Sequence, residues 1–516
     1  MSYKGHILWA DDEIKMLKPH ILYLEDKGYK VTSVSSGKSA IELCENIKFD
    51  IVLLDEMMPG LDGLATLKCI KDKHPKIPII MITKNEEEWL MEEAIAIQIT
   101  HYLTKPVNPS QIFIACKNVL ESNQIQSDHV IKDYLKSFQT ISQDIDNALV
   151  IDDWYNIVDK LTDWSINFDK LEEPGIEEML IEQWTSANIL FSKFIENNYS
   201  KWLNSSNRPI MSPDILSNYI QKHIANNEKV FFIVMDCLRV DQFKAMSNQL
   251  NDIFDIDFGY YLSIIPTATP YSRNSIFSGL FPLDLQKKYP KLWNEMWNHE
   301  TSMNQYENIF LNDYLKKNKL NNISSKFHKI ISYDQGLKIS KRINEYKEVD
   351  FITLVVNFVD ILGHARSDSK ILRELVPDET GYRNIICNWA ENAWLIDTLK
   401  QISHWGHKVF LTSDHGSIKV TKPIQVKGDR DTSTGVRYKY GRNLNISNRV
   451  GITINDTESY LLPHHDINTN YIVSKGENYF VYPNDYKKFK KKFNNSFQHG
   501  GISLEEMIIP IVELKN

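Results

Sequence analysis

The chain has 516 residues, of which 42% are hydrophobic and 24% charged, and its formal net charge is −8. This length predicts about three domains, and the composition is ordinary for a globular protein. The negative charge argues against bulk binding to nucleic acid or membranes, and no apolar run approaches the roughly 20 residues of a membrane span. The cysteines lack metal-binding or disulfide spacing and the N-terminus does not resemble a signal peptide, so we expect a cytoplasmic protein.

Residues 1–120 alternate short apolar runs with segments of helical pattern, from HILWA to THYLT. This alternation predicts a doubly wound, flavodoxin-like parallel sheet. Asp11 and Asp12 follow the first run, and Asp55 ends the third, DIVLLD. The carboxyl ends of parallel strands share one crevice, where three carboxylates repel each other unless a cation joins them, which implies Mg²⁺.

The pieces ILWADDE, VLLDEMMPGLDG, MIT and LTKPV resemble a response-regulator receiver domain. By that resemblance Asp55 accepts a phosphoryl group from a sensor histidine kinase. Asp12 and Asp55, together with Asp11, hold Mg²⁺, and Lys105 contacts the phosphate. The alternative is a flavodoxin-like domain whose acids are ordinary surface residues.

The same resemblance implies a switch formed by Thr83 and Tyr102. We expect phosphorylation of Asp55 to repack the face made by the fourth helix, fifth strand and fifth helix of this domain. That face would then form a homodimer.

Residues 121–205 lose the strand pattern and repeat apolar residues at spacings of three and four. This predicts a bundle of three or more helices. Its tryptophans are expected in the core or in contacts with neighbours, a role compatible with relaying the receiver's state. No helix-turn-helix with a basic recognition helix is apparent, which argues against a standard DNA-binding output domain. The tryptophans are Trp154, Trp164, Trp184 and Trp202.

From residue 206 to residue 516 the alternation of strand and helix returns, which predicts a second α/β domain. Three of its apolar runs, VFFIVMD, FITLVVNFVD and HKVFLTSD, end in aspartate. Carboxylates and imidazoles that converge at the strand ends of one sheet could hold two divalent cations. A single histidine is more often structural, but the set as a whole favours metal binding. The candidate ligands are Asp236, Asp360, His364, Asp414, His415 and His499.

Thr269 begins a helical pattern in IPTATPYSRNSIFSGLFP, with Thr269 as N-cap, Pro270 at the first helical position and Gly279 at the end. A helix N-terminus stabilises anions, and a metal-bound hydroxyl there could attack phosphorus. Thr267 is the competing nucleophile, and a plain helix cap without chemistry is the other interpretation.

The pieces VMDCLRVDQF, IPTATPYSRNSIFSGLFP, VDILGH, TSDHG and QHGGISLEEMIIP resemble the alkaline phosphatase superfamily, and more closely its PglZ-domain branch. The resemblance implies two Zn²⁺ ions and Thr269 as the bridging nucleophile. The oxyanion-binding asparagine of some relatives has no clear match, and Arg273 or Asn274 could serve. By the resemblance, one ion is held by Asp236, Asp414 and His415, and the other by Asp360, His364 and His499.

Few cations lie near these motifs, which favours a phosphodiester over a more highly charged monoester. The basic segment from Lys419 to Arg449 predicts an insertion over the site that binds a nucleotide or oligonucleotide, and the alternative is a solvated surface hairpin. Its basic side chains would face phosphates, and Tyr440 could stack on bases with Tyr438. The candidates are Arg437, Tyr438, Lys439 and Arg442, with Lys427 and Arg430 nearby.

A receiver followed by a PglZ effector resembles response regulators linked to type IX secretion, some with a sigma factor as downstream partner. The hypothesis is a zinc-dependent phosphodiesterase controlled by phosphorylation. The alternative is a signalling scaffold that binds a sigma factor through a catalytically dispensable PglZ domain. A phosphatase or sulfatase is a third possibility, and the sulfatase is the weakest because it would require Cys or Ser at Thr269.

Overall fold

The structure is a computed structural model that describes residues 3–84, 99–171, 173–298, 304–320, 322–426, 433, 435–464, 466, 468–482 and 486–515, without the side chains of 122–124, 126, 174 and 297–298. The chain forms two compact units, Met1–Leu135 and Lys136–Asn516. Among the helices of these ranges, none has the length and apolar character needed to cross a membrane.

The first unit contains a five-stranded sheet in the order β2-β1-β3-β4-β5, and every strand pair is parallel. One buried apolar cluster lies on each face of the sheet, so the predicted flavodoxin-like fold is confirmed. The strands are β1 (His6–Ala10), β2 (Lys30–Val34), β3 (Ile51–Asp55), β4 (Ile79–Thr83) and β5 (His101–Thr104). The helices are Lys18–Asp26, Gly37–Asn46, Gly63–Lys73 and Pro109–Asn147. The segment between β4 and β5, where the fourth helix of the predicted dimer face is expected, includes residues 85–98, which lie outside the described residues.

The middle of the chain is helical, as predicted. Its helices are Ile151–Phe168, Pro174–Leu203 and the later part of Pro109–Asn147, which continues across the predicted domain border at residue 120. Trp154 is buried, with its ring 5.3 Å from that of Phe191. The Trp184 indole donates a hydrogen bond of 3.1 Å to Ser165, which joins the last two helices.

The second unit is built on a six-stranded mixed sheet in the order β7-β18-β10-β6-β9-β8. Strands β8, β9, β6 and β10 are parallel, whereas β18 is antiparallel to both β10 and β7. The central strands are continuous apolar runs because both faces of the sheet are covered. The strands are β6 (Val230–Met235), β7 (Asp255–Leu262), β8 (Ser325–Ile330), β9 (Phe351–Val356), β10 (Lys408–Thr412) and β18 (Ile508–Lys515).

Three small sheets complete this unit, and they show that the segment from Lys419 to Arg449 is not a hairpin. Its strands pair with strands that come later in the chain, so they belong to the body of the domain. The pairs are β11 (Ile418–Val420) with β17 (Ser496–Gln498), β12 (Lys422–Gln425) with β16 (Asn478–Val481), and β13 (Tyr438–Arg442) with β15 (Thr469–Ser474), which also pairs with β14 (Gly451–Ile454).

The remaining helices surround the sheets. The helices Glu379–Asn392 and Trp394–Ser403 pack on β6, β9 and β10 and form the main core with them. The α-helices are Gln221–Ala225, Val240–Ser247, Thr269–Ser278, Pro282–Lys288, Pro290–Asn298, Glu307–Lys317, Tyr333–Lys341, Phe358–Asp368, Lys370–Leu375, Glu379–Asn392, Trp394–Ser403, Tyr486–Phe493 and Leu504–Met507. Short 3-10 helices are Ser212–Asp214, Ile343–Tyr346 and Glu458–Tyr460, and Leu216–Ile220 is a π-helix.

Candidate metal centres and nucleophile

In the first unit, three carboxylates meet at the carboxyl ends of β1 and β3. Asp11, Asp12 and Asp55 each offer an oxygen, and these atoms lie within 4.8 Å of one another. Lys105 Nζ lies 2.7 Å from Asp55 Oδ1 and 3.0 Å from Asp11 Oδ2. Burial raises the pKa of Asp55 to about 6, although the hydrogen bond from Lys105 opposes this shift. An all-oxygen group of this kind fits Mg²⁺.

The two predicted switch residues lie on neighbouring strands. Thr83 ends β4 and is buried, with its hydroxyl hydrogen-bonded to the carboxylate of Glu56, the residue after Asp55. Tyr102 lies on β5 and is partly buried. Thr83 is therefore joined by one hydrogen bond to the residue beside the phosphorylation candidate.

In the second unit, a first ligand group lies at the ends of two adjacent parallel strands. Asp236 directly follows β6, while Asp414 and His415 follow β10. The ligand atoms of the three residues lie within 4.8 Å of one another and all three side chains are buried. His415 Nε2 is 3.8 Å from Asp236 Oδ1 and 3.7 Å from Asp414 Oδ2.

A second group combines a helix with the segment after β17. Asp360 was expected at the end of a strand, but β9 ends at Val356 and Asp360 lies in the first turn of Phe358–Asp368. Four residues later on this helix, His364 Nε2 lies 3.3 Å from Asp360 Oδ1. His499 Nε2 lies 3.4 Å from the same oxygen. These three residues also have their ligand atoms within 4.8 Å of one another.

The two groups adjoin each other, because the rings of His415 and His499 stack with centroids 4.3 Å apart and an interplanar angle of 19°. Burial lowers the pKa of His415 to about 4 and raises that of Asp414. Burial would also raise the pKa of Asp360, but hydrogen bonds from His364 and His499 bring it well below its usual value.

These donor sets fit divalent cations. Burial raises the pKa of Asp236 and of Asp414, so these two carboxylates are costly to ionise without a counter-charge. Asp414 Oδ2 is buried and has no hydrogen-bond partner among the described residues. His415 Nδ1 lies 3.1 Å from the carbonyl of Gly416, so its Nε2 faces the site as an acceptor. Mixed imidazole and carboxylate donors are typical of Zn²⁺.

Thr269 lies beside the first group. Its Oγ1 is 3.0 Å from His415 Nε2 and 3.4 Å from Asp236 Oδ1. The predicted N-cap role is wrong, because Ala268 is the N-cap and Thr269 is the first residue of the helix. Gly279 ends the helix in the left-handed conformation with φ of 64°, as expected.

Thr267, the competing nucleophile, makes structural hydrogen bonds instead. Its hydroxyl donates to the carbonyl of Gly501 at 2.8 Å and accepts from the amide of Gly500 at 3.1 Å. Both partners are backbone groups just after His499. Thr267 therefore holds this segment in place, while Thr269 contacts the ligands.

Arg273 was predicted to bind substrate, but its side chain is fully buried against the ligands. Its Nη1 lies 2.6 Å from Asp236 Oδ2, and its Nε lies 2.5 Å from Glu307 Oε1. Glu307 also lies 3.2 Å from Lys329 and had no recognisable signal in the sequence. Asn274 is buried too, and its amide donates to the carbonyl of Pro270 at 2.8 Å. Neither side chain is displayed to an incoming substrate.

Most of the predicted phosphate-binding side chains also have structural roles. Arg437 is fully buried in an ion pair with Glu506. Lys439 is buried, donates to the carbonyl of Ser433 at 3.1 Å and lies over the ring of Tyr482. Exposed Arg442 pairs with Asp466, with Nε 2.9 Å from Oδ2. Arg437 and Lys439 therefore lie inside the domain, a placement that the charge pattern of the sequence alone could not predict.

Tyr438 is the exception, since it is partly buried near His499. Its ring packs edge-on against Tyr271, with centroids 5.6 Å apart. A Cβ at Gly500 would meet the Tyr438 ring at 2.5 Å, so the two residues approach closely. The candidates Lys427 and Arg430 lie outside the described residues.

A polar network that was not predicted from the sequence holds the segment that follows His499. Glu506 accepts hydrogen bonds from the Gly501 amide at 2.8 Å and the Ser503 hydroxyl at 2.8 Å. Asn188, on the middle helix Pro174–Leu203, accepts from the Leu504 amide at 2.8 Å and donates to Glu505. The capping-box spacing of Ser503 and Glu506 was visible in QHGGISLEEM and could have revealed part of it.

The fold and these centres define a response regulator whose effector is an alkaline-phosphatase-like domain. The BREX system PglZ alkaline phosphatase-like domain matches residues 215–514, the larger part of the chain. The response regulator receiver domain matches residues 7–117, and the PorX response regulator linker domain matches residues 124–203. The chain belongs to the PglZ family, and its three matches together are those of a PorX-type response regulator.

Two curated relatives match slightly less than a quarter of this chain. The alkaline phosphatase synthesis transcriptional regulatory protein PhoP of Bacillus subtilis is 32% identical over 23% of this chain and 50% of its own length. The response regulator SaeR of Staphylococcus aureus is 36% identical over 22% and 50%. The chain thus spans about half the length of these curated relatives. Among solved structures, chemotaxis protein CheY4 of Vibrio cholerae is 27% identical, with 22% of this chain and 98% of that chain covered and a TM-score of 0.22.

Proposed function

We propose that this protein is a zinc-dependent phosphodiesterase controlled by phosphorylation of its receiver. The observation that carries the proposal is the position of Thr269, whose hydroxyl lies 3.0 Å from His415 and 3.4 Å from Asp236. A hydroxyl at a helix N-terminus among buried ligands is suited to nucleophilic attack on phosphorus. An alkaline phosphatase-like domain indicates hydrolysis of this general type.

In the proposed reaction, Thr269 Oγ1 forms a bond to phosphorus while the bond to the leaving oxygen breaks. Hydrolysis of the phosphothreonine by water then regenerates the enzyme. When bound to the two ligand groups, Zn²⁺ ions would lower the pKa of the hydroxyl and neutralise charge on the phosphoryl oxygens. His364 has a 57% exposed side chain, compared with 17% for His499, so substrate and water would enter from the His364 side.

The charges around the ligands favour a diester. Within the described part of the chain, Arg273 is the cation that contacts the first group, and Asp236 and Glu307 already pair with it. Among the described residues, no further arginine or lysine forms an ion pair with these ligands that would offset a monoester's second charge. We therefore propose a diester as the substrate, and among diesters we propose the nucleotide or oligonucleotide class that the sequence predicts.

The nucleophile is tested by comparing Thr269→Ala with Thr267→Ala. Thr269→Ala should retain zinc, measured by metal analysis, but lose turnover of a nitrophenyl diester by about three orders of magnitude or more. Thr267→Ala, the matched control, should lower stability while keeping the nucleophile, because it removes hydrogen bonds to Gly500 and Gly501. Full activity of Thr269→Ala would show that the nucleophile is wrong.

Comparison with a nitrophenyl monoester separates the diesterase from a phosphatase. A zinc-loaded protein that hydrolyses neither ester would support the alternative, a scaffold that binds a partner such as a sigma factor. In either case the receiver match implies a sensor kinase as the upstream partner.

Regulation is proposed to begin with phosphorylation of Asp55, with Mg²⁺ bound by Asp11, Asp12 and Asp55. Repacking through Thr83 and Tyr102 would then produce a homodimer in the cytoplasm, in a pathway that controls type IX secretion. Sedimentation with and without beryllofluoride tests the dimer. An unchanged mass after treatment would defeat this part of the proposal.

A further inference from the structure

The helix Tyr486–Phe493, which we call the lysine helix, has the sequence YKKFKKKF. One side of it carries Tyr486, Phe489 and Phe493, which pack against buried residues of β11 and β16. All five of its lysines are exposed to solvent. The apolar side therefore anchors a two-turn helix whose outer surface is a dense block of positive charge. The lysines are Lys487, Lys488, Lys490, Lys491 and Lys492.

This surface adjoins the open side of the metal site. Lys492 Nζ lies 2.8 Å from Asp368, on the helix that also carries His364. Because residues four apart on a helix share a face, Asp368 follows His364 by one turn, about 6 Å along the axis. Arg366, on the same helix, donates to the carbonyl of Asn495 at 2.6 Å and fixes the segment after the lysine helix.

The charge balance of the lysine helix is strongly one-sided. Among described residues, Asp368 is the acid that forms an ion pair with it. The protein as a whole carries a net charge of −8, so this concentration of lysines is not a general property of its surface. A solvated helix face needs charge, but not five charges of one sign on eight residues, which repel each other.

We propose that the lysine helix binds the phosphodiester backbone of a single-stranded oligonucleotide on the side of the scissile bond beyond His364. This inference rests on the proposed diesterase function and names its substrate more closely. Lysine ammonium groups bind phosphates as point charges without reading bases, so the surface holds strands of any sequence. It replaces the role first assigned to Arg437 and Lys439, which are buried.

The proposal predicts a salt dependence. For single strands the logarithm of affinity falls with the logarithm of salt with a slope of about −0.7 per phosphate contact. Four contacts therefore weaken binding about 50-fold between about 50 and 200 mM salt. Removal of the contacts should remove most of this slope.

The test uses the full chain loaded with zinc and a fluorescent single-stranded DNA with phosphorothioate linkages, followed by anisotropy. One variant carries Lys487→Gln, Lys488→Gln, Lys490→Gln and Lys491→Gln, and keeps the ion pair of Lys492. A control variant with the same change of charge replaces four exposed helix lysines elsewhere by glutamine: Lys316, Lys317, Lys338 and Lys341.

The lysine-helix variant should bind DNA at least about tenfold more weakly at low salt and show a flatter salt slope, while the control stays within about twofold. Equal losses in both variants, or none, would overturn the proposal. Loss of binding to phosphatidylglycerol vesicles with unchanged DNA affinity would also overturn it, since the surface would then serve a membrane.

Kinetics keep the two proposals apart. If the protein binds DNA through the lysine helix but hydrolyses no diester, the proposed diesterase activity is refuted and the proposed binding surface is supported. If both variants hydrolyse oligonucleotides with the same KM, the proposed diesterase activity is supported and the proposed binding surface is refuted. The expected result is a fall in the ratio of oligonucleotide to nitrophenyl-diester kcat/KM in the lysine-helix variant alone.

Discussion

Replacement of Asp414 by asparagine should change stability in opposite directions with and without zinc. Asp414 is fully buried, and its Oδ2 has no hydrogen-bond partner among the described residues. Its Oδ1 accepts from the Cys237 amide at 3.3 Å, a bond that an asparagine oxygen can keep. Without metal, the variant therefore removes a buried charge whose outer oxygen accepts no hydrogen bond from the described residues, and it alters little of the structure.

The expected magnitude follows from these contacts. Removal of an unsatisfied buried charged oxygen stabilises by about 1–3 kcal/mol, less the loss of an attraction to Arg273 at 3.9 Å. With zinc at about 1,000 times its dissociation constant, the wild type gains about 4 kcal/mol. The variant, which lacks one of three ligands in its group, should lose most of this gain. Asp414→Asn should thus unfold at higher temperature than wild type in chelator and at lower temperature in zinc.

The assay is thermal unfolding of both proteins in chelator and in zinc, with exposed Asp255→Asn as the control, expected within about 0.5 kcal/mol of wild type. Burial raises the pKa of Asp414. Protonation in the folded state then favours folding at low pH, and this contribution is lost as the pH rises through the raised pKa. The advantage of the variant in chelator should therefore shrink in acid. A metal-free variant less stable than metal-free wild type would refute the reasoning.

Three further predictions concern the residues around the ligands. Burial raises the pKa of Glu505 to about 7. The wild type should therefore lose up to about 3 kcal/mol of stability relative to Glu505→Gln as the pH rises from about 4.5 to 7. Urea unfolding measures this, and parallel curves of unfolding free energy against pH for the two proteins would contradict it. Gly416→Ala should lower stability by about 1–3 kcal/mol or more and weaken zinc binding, because the new Cβ would lie 1.9 Å from the carbonyl oxygen of Glu505. The control Gly175→Ala should change neither property, because no described atom outside its own stretch of helix lies within 4 Å of the Cβ at that position. Arg437→Met should destabilise the protein by about 3–5 kcal/mol, because it leaves the buried carboxylate of Glu506 without its ion-pair partner. A higher KM for the diester with unchanged stability would instead indicate that Arg437 binds substrate.

The fold was predictable because its signals are local and repeated. The apolar run VFFIVM becomes β6, and the alternation of such runs with helical patterns indicates a parallel sheet. The antiparallel strand β18 was not predictable, since its apolar run IIPIVEL is equally compatible with either direction.

The candidate ligands could be found because strand ends converge in a parallel sheet, which brings Asp236 beside Asp414 without any knowledge of side-chain contacts. The substrate side was harder, because a cation in the sequence can be either exposed or paired inside. Arg437 looked like a phosphate ligand and is instead the buried partner of Glu506. Its contacts with Glu506 and with the carbonyl of Gly476, which come from distant parts of the chain, decide this.

The position of β18 also has a consequence for the order in which the molecule is made. This strand occupies a place between β10 and β7, with Ile508 opposite Leu262. The sheet of the first unit uses residues 6–104 only, and domains tend to fold as they emerge from the ribosome, the N-terminal one first. During translation the domain with Asp55 can therefore fold before the segments that carry His499 and β18 have been made. Under the proposed function, a sensor kinase would therefore be able to reach Asp55 before the ligand groups of the second unit have assembled.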